Sequence, residues 1–190
     1  EILQSATWQQ SIHNPAAQKT DPANEHFARM NRRRLDVEAW RDAMLHASGQ
    51  LDKTIGGEPK DLNAKDNNRR TLYGAIHRRE PNQFLRIHDF PDPTAHAPTR
   101  PQTITPLQQL FTLNGPFIHQ HAKSLAANLM KQKEINVRIH GVYQKLFQRA
   151  PRETELKIAK NFLNGKGNDA SAWTQYAHAL LAGNEFQFID

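Results

Sequence analysis

Five prolines in sixteen residues, Pro91, Pro93, Pro98, Pro101 and Pro106, constrain the fold more than any other feature of the chain. Proline lacks a backbone N–H, and its ring clashes with the preceding turn of a helix, so this stretch is neither a helix nor a central strand. The sequence therefore predicts an extended connector that lies over the surface of the rest of the chain. Because such a connector has few backbone donors, we expect side-chain contacts to hold it.

Helical patterns fill the chain after this connector. Thr105 predicts a cap and Pro106 the first position of a helix that runs to Leu113. The next helices are predicted over 116–130, over 135–147, from Arg152 or Thr154 to Leu163, and from Asp169 to Leu181. Since short turns join them, the pattern indicates an antiparallel helical bundle over 105–190.

The first 50 residues are also predicted to be helical. Apolar spacing indicates a helix over 2–12, and Asp21 followed by Pro22 indicates another over 22–30. A third helix begins at Asp36, whose carboxylate is expected to cap it, and ends at Gly49.

Residues 51–104 are predicted to hold a loop over 51–68, a strand over 69–77 and the connector. The strand follows from the alternation in "RRTLYGAIH" and needs a partner, which we place near 54–56. A short helical turn is expected after Pro81. The predicted fold class is mainly α, a helical bundle with a small β element and a long proline-rich connector. We expect residues 1–190 to form a single domain, the C-terminal module of a longer protein.

Composition excludes several classes of site. The chain has no cysteine, which excludes disulfides, thiolate metal sites and covalent haem attachment within it. No apolar run approaches the length of a membrane span. Ten histidines are present, but His119 and His121 lie on different sides of a predicted helix, and no metal site is predicted. Aromatic residues at helical spacing, such as Phe111 and Phe117, are predicted to be core.

Charge leaves two interpretations open. The net charge of +6 suits an acidic partner such as a sulfated or carboxylated polysaccharide, an acidic protein face or nucleic acid. It also suits a simple solvated surface. Acidic residues interleave with the arginines around Asp36, with Glu38, Arg41 and Asp42 expected to interact on the exposed face of the helix. This argues against nucleic acid.

A polar network is predicted around the connector. Asp89 and Asp92 are candidates for an acid–base pair or for ligands of a hard cation, and the alternative is that they anchor the connector. Arg33 and Arg34 precede a helix, where they either bind an anion or pin the connector through Arg34 and a carboxylate elsewhere. At least one arginine of each pair, Arg69 with Arg70 and Arg78 with Arg79, is expected to be buried against a carboxylate, and Asp89 and Asp92 are the candidates for it. The predicted binding network comprises Arg33, Arg34, Asp36, Arg69, Arg70, Tyr73, Arg79, Arg100, Thr105, Gln108 and Asn114.

Five motifs in order, "MNRRRLDVEAWRDAML", "RRTLYGAIHRR", "FLRIHDFPDP", "TRPQTITPLQQLFTLNGPF" and "LLAGNEFQFID", carry a resemblance. The chain resembles the C-terminal domain of unknown function of large secreted proteins of planctomycetes and related bacteria, which carry an N-terminal cytochrome-c-like domain. The resemblance spans nearly the whole chain. The characteristic positions that it implies are Asn31, Arg33, Arg34, Asp36, Arg69, Arg70, Tyr73, Asp89, Phe90, Asp92, Arg100, Thr105, Pro106, Gln108, Leu113, Asn114, Asn184, Glu185 and Phe186.

This resemblance implies a periplasmic, cell-surface or secreted location, with any signal peptide outside this segment. It also implies a link to systems thought to degrade complex sulfated polysaccharides. It implies no reaction, and without a CxxCH motif any haem belongs to an upstream domain. We therefore predict a non-catalytic binding or assembly module that recognises an acidic glycan or a partner protein, besides contacting the upstream domains. The alternatives are a hydrolase-like site that uses Asp89 and Asp92 beside the arginines, and nucleic-acid binding through the basic surface.

Overall fold

Helices make up most of the regular structure in the computed structural model, which describes residues 1–64, 66–80 and 82–189. The predicted mainly α class is confirmed. Lys65 in the predicted loop and Pro81 before the predicted helical turn lie outside the described residues. The helices are α1 (Pro15–Thr20), α2 (Val37–Ala47), α3 (Gln83–Ile87), α4 (Pro106–Asn114), α5 (Pro116–Leu129), α6 (Ile135–Phe147), α7 (Glu153–Phe162), α8 (Ala170–Ala182) and α9 (Asn184–Gln187), with 3₁₀ helices at Ile2–Gln4 and Thr71–Tyr73.

Helices α4 to α8 begin and end within about one residue of their predicted bounds, because local signals define their ends. The Thr105 hydroxyl accepts from the Gln108 N–H while the Gln108 side chain accepts from the Thr105 N–H, a capping box. The Asp169 carboxylate accepts from the first-turn amides of α8. Proline stands at the first position of both α4 and α5.

The core lies between the C-terminal helices and α2. Helices α5 and α8 form the most extensive helix–helix contact. Ile118 and Leu125 of α5 pack with Trp173 and Leu181 of α8, all with no exposed surface. Trp40 and Met44 of α2 complete this cluster, so the core fixes α2 and its preceding arginines against the bundle. No helix in the described ranges has the length and apolarity needed to cross a membrane.

The predicted helices over 2–12 and 22–30 are wrong. Ile2 and Trp8 are 75% and 59% exposed, so the apolar face predicted there is not buried in the core, and an isolated helix of this length is unstable in water. In the second segment the Asp21 carboxylate accepts from the amides of Glu25 and His26 and closes a loop. Asn24 and Phe27 adopt left-handed backbone angles there, which no helix continues through.

The first α-helix lies instead between these two segments, where no helix is predicted from the sequence. Asn14 caps α1 by accepting from the Ala17 N–H, and Pro15 takes its first position. The signal is the same Asx–Pro pair that predicted a helix at Asp21 and Pro22. Asn14 and Pro15 begin a helix, whereas Asp21 and Pro22 do not.

The predicted strand over 69–77 is also wrong. The Asp42 carboxylate accepts from both the N–H and the hydroxyl of Thr71 and holds the chain in a 3₁₀ turn. Among the described residues the segment makes two isolated bridges, one from Arg69 to Asp52 and one from Gly74 to Lys60. The small β element lies elsewhere: β1 (Arg33–Arg34) pairs antiparallel with β2 (Phe188–Ile189).

Candidate functional site

The Arg34–Asp89 ion pair anchors the proline-rich connector. Arg34 Nη2 lies 2.5 Å from Asp89 Oδ2, and Arg34 Nη1 donates to the Thr103 carbonyl at 2.5 Å. The Asp89 carboxylate also accepts from the Thr103 N–H at 2.9 Å and from its hydroxyl at 2.7 Å. Arg34 therefore pins the connector as predicted, whereas the Arg33 side chain is exposed.

Asp89 occupies an unusual backbone position at the end of α3. Its φ of 62° is left-handed, and the Phe90 N–H that follows donates to the Leu85 carbonyl at 3.1 Å. This geometry ends the helix, and aspartate tolerates it better than most residues. Glycine would suit the backbone equally well, but only aspartate adds the carboxylate that holds Thr103 and Arg34.

Gln108 joins helix α4 to this network. The residue is 3% exposed. Its Nε2 donates to Asp89 Oδ2 at 3.2 Å and to the Ile87 carbonyl at 3.0 Å, while its Oε1 accepts from Arg34 Nη1 at 2.9 Å. Every polar atom of the Gln108 side chain is therefore satisfied within the fold.

The electrostatics keep both candidate aspartates ionised. Burial on its own would raise the pKa of Asp89, but the hydrogen bonds from Thr103 and Arg34 outweigh it and lower the pKa. The pKa of Asp92 is lowered by the hydroxyl and the amide of Thr94. Neither carboxyl has the raised pKa of a general acid.

A second anchor holds the connector at Arg100. Its guanidinium donates to both carboxylate oxygens of Glu38 at 2.8 and 2.7 Å and lies 3.8 Å from Asp36. It also packs 5.6 Å from the centre of the Phe90 ring. The predicted cap by Asp36 is wrong, because its side chain makes no capping hydrogen bond. The predicted exposed cluster of Glu38 with Arg41 and Asp42 is wrong as well, since Glu38 binds the connector.

Asp89 and Asp92 line different cavities. Asp92 borders a cleft of about 290 Å³ with Arg86, Phe90 and neighbouring prolines. Asp89 borders a cavity of about 10 Å³ beside Arg34 and Arg100, about the volume of one water molecule. The two carboxylates are therefore not presented to one substrate site.

The arginines that follow the long loop hold that loop. Arg69 donates to the carbonyls of Thr54, Gly56 and Glu58 and lies 4.3 Å over the Tyr73 ring. Arg70 Nε lies 3.8 Å from Asp42 Oδ2. Their predicted pairing with Asp89 and Asp92 is therefore wrong, because loop carbonyls and Asp42 are the nearer acceptors.

Two further predicted network residues lie apart from Asp89. Arg79 is exposed. The Asn114 amide donates to the Leu110 carbonyl of its own helix at 3.1 Å. The structure thus brings together Arg34, Asp89, Thr105 and Gln108 in one network, and Arg100 with Asp36 in the adjacent one.

A larger cleft lies on another part of the surface, between α3, α4, α5 and the loop residues 62–64 and 67–68. We name it the aromatic cleft, and its volume is about 340 Å³. Three half-buried rings line it, as do five amide side chains. These residues are Phe84, Phe111, Phe117, Asn63, Asn67, Asn68, Gln83 and Gln120. Phe111 and Phe117 pack against the core as predicted, but they also face this cleft.

The floor of the aromatic cleft carries a buried positive charge. Arg41 is 2% exposed, lies 5.4 Å from the centre of the Phe117 ring and donates to the carbonyls of Asn67 and Arg69 at 2.6 and 2.9 Å. His121 lies beside it, with Nδ1 3.0 Å from Ser48 Oγ. Burial, followed by the charge of Arg41, lowers the pKa of His121 to about 4, so this ring is neutral at pH 7.

Comparison with protein families decides the classification. Residues 1–163 match the family PSD1, described as a protein of unknown function (DUF1553). This chain belongs to the PSD1 family. The predicted resemblance to a domain of unknown function is thereby confirmed. Neither the curated proteins nor the solved structures give a match.

Both the Arg34–Asp89 network and the aromatic cleft lie inside the PSD1 match. The closing motif at 180–190 and helix α8 follow it. No group of three or more histidine, aspartate or glutamate side chains in the described ranges is placed to hold a metal ion.

Sequence reasoning missed the floor of the cleft in this PSD1 chain. Arg41 was expected on the exposed face of α2. A signal was nevertheless present, because Arg41 follows Val37 by four residues and precedes Met44 by three, which places it on the buried stripe. Gln120 and His121 had no comparable signal, since the other residues that line the cleft come from distant parts of the chain.

Proposed function

We propose that this chain is a non-catalytic binding or assembly module of a secreted multidomain bacterial protein, and that its ligand is an acidic or sulfated polysaccharide. The observation that carries the non-catalytic part is the separation of Asp89 and Asp92 into different cavities. Carboxylate-based glycoside hydrolysis needs two such groups facing one substrate, with the pKa of one of them raised. Here the pKa of each is lowered.

Charge supports the acidic ligand. The net charge of +6 creates a field that attracts polyanions and repels cations. Under this proposal the module works in the periplasm, at the cell surface or outside the cell. Upstream domains of the same protein are its partners, and any haem of that protein belongs to one of them.

The experiment that tests the proposal is a titration calorimetry series on the wild-type chain. The probes are a sulfated galactan oligosaccharide, a polyuronate oligosaccharide, a neutral β-glucan oligosaccharide of equal length and duplex DNA. We expect the two anionic glycans to bind, the neutral one not to bind, and the anionic affinities to fall as salt rises. Absence of binding to every glycan, or binding to DNA that exceeds both anionic glycans, would contradict the proposal.

The Asp89→Asn variant separates scaffold from catalysis. We expect it to lower the free energy of unfolding by about 2 kcal/mol, because Arg34 loses its charged partner while it stays half-buried. The measurement is urea denaturation, with Asp92→Asn as the control, since Asp92 closes only an exposed turn with Thr94. Unchanged stability of Asp89→Asn together with loss of a glycan-cleaving activity would favour the hydrolase alternative instead.

A further inference from the structure

The aromatic cleft has the size and lining of a small-molecule site. Its volume of about 340 Å³ falls within the range of about 300–1,000 Å³ that is usual for such sites. Phe84 stands 5.4 Å from Phe111 and 5.7 Å from Phe117 between ring centres. The three rings together offer an apolar surface suited to the carbon face of a sugar ring.

Amide side chains surround these rings, and three of them are available to bind a ligand. Asn67 is used inside the fold, because its amide donates to the carbonyls of Lys60 and Asp61. Asn68, Gln83 and Gln120 differ from it, since their side chains make no hydrogen bond to any described residue and come from three separate segments. An amide offers both donors and acceptors, which is what the hydroxyl groups of a sugar require.

The positive charge under the cleft favours an anionic ligand. No acidic side chain is among the described residues that line it. Arg41 shares a single carboxylate with Arg70, at 4.0 and 3.8 Å from Asp42, so one positive charge is left over. Buried charge is screened less than surface charge, and its field extends into the cleft. The N-terminal turn of the 14-residue helix α5, where Phe117 lies, adds to the positive potential.

Resting on the proposed function, we infer that the aromatic cleft is its ligand site and that the site takes a sugar ring bearing a carboxylate or sulfate group. The ring lies against Phe84, Phe111 and Phe117. Its hydroxyl groups bind the amides of Asn68, Gln83 and Gln120. Its anionic group is attracted by the field of Arg41, whose Nη1 and Nη2 keep their hydrogen bonds to the carbonyls of Arg69 and Asn67.

Charge substitution at Gln120 tests this inference. Gln120 is exposed on α5, so neither Gln120→Glu nor Gln120→Lys disturbs the core. The matched controls are Gln109→Glu and Gln109→Lys, since Gln109 is an exposed helical glutamine outside the cleft. All four variants are titrated with the sulfated galactan, polyuronate and neutral β-glucan oligosaccharides used for the wild type. We expect about tenfold weaker binding for Gln120→Glu and several-fold tighter binding for Gln120→Lys, relative to the matching Gln109 variant.

The outcomes separate the two proposals. If the anionic glycans bind but the Gln120 and Gln109 variants behave alike, the cleft inference is overturned while the binding function stands. If the neutral glucan binds as well as the anionic glycans and responds to Gln120 substitution without regard to charge, the cleft is the site but the anionic selectivity is overturned. If no glycan binds the wild type, both proposals fall.

Discussion

Arginine side chains hold the irregular segments of this chain at the scale of single residues. Arg41 and Arg69 donate to carbonyls of the 54–69 loop, and Arg34 donates to the connector at Thr103. Arg138 does the same for the turn before α8 by donating to the Gly167 carbonyl. Loops leave carbonyls without helix or sheet partners, and the five N–H groups of a guanidinium can satisfy several of them at once.

His121 makes the stability of the protein depend on pH. Its folded-state pKa of about 4 lies below the ordinary value of 6.5, so the folded state resists protonation. The stability linked to this ring is complete above about pH 6.5 and is lost as pH falls toward 4, by up to about 3 kcal/mol. In the His121→Gln variant we expect a melting temperature that changes less between pH 7.5 and pH 4.5.

The measurement is thermal unfolding across that pH range. The quantity compared is the change of melting temperature with pH, not the melting temperature itself. His140→Gln is the control, because His140 is exposed on α6. If the melting temperature changes equally with pH in the wild type and in His121→Gln, then other groups dominate the loss of stability in acid.

Helix α4 shows how an element connects the proline-rich connector to the bundle. Its capping box satisfies the first free N–H groups. The same Gln108 that completes the box also binds Asp89 and Arg34. The start of α4 is therefore fixed both by its own cap and by the connector.

Removing the cap tests this connection. We expect Thr105→Ala to lower the free energy of unfolding by about 1 kcal/mol, because the Gln108 N–H loses its acceptor. Urea denaturation measures the change. Thr154→Ala in the first turn of α7 is the control, since that side chain is exposed and makes no hydrogen bond to the described residues. Equal effects in the two variants would mean that the cap contributes nothing beyond helix propensity.

At the scale of the whole molecule, the contact between α5 and α8 carries the fold. Leu125 is fully buried in it, whereas Leu113 at the end of α4 is 58% exposed. The two leucines offer a matched pair for measuring how much of the stability depends on this core.

We expect Leu125→Ala to lower the free energy of unfolding by about 3 kcal/mol, because the variant loses buried apolar surface and leaves a residual cavity. Leu113→Ala is expected to change stability by less than about 0.5 kcal/mol. Both variants are measured by urea denaturation, and the slope of the unfolding free energy against urea concentration is compared with that of the wild type. A small effect of Leu125→Ala would place the cooperative core elsewhere.

The sequence by itself determined the connector and helices α4 to α8. Proline geometry, caps and apolar periodicity act over a few residues, so their outcome does not depend on the rest of the fold. The same local rules failed over 2–12 and 69–77, where the outcome depended on packing and on Asp42.

Only the tertiary structure decided which partners meet. Arg34 finds Asp89 across 55 positions, and Arg100 finds Glu38 across 62. Strand β1 pairs with β2 at the other end of the chain. Several carboxylates could form an ion pair with each arginine equally well, so the partner is the carboxylate that the fold brings close to it. For the same reason the aromatic cleft, built from α2, α3, α4, α5 and a loop, has no signature in any one stretch of sequence.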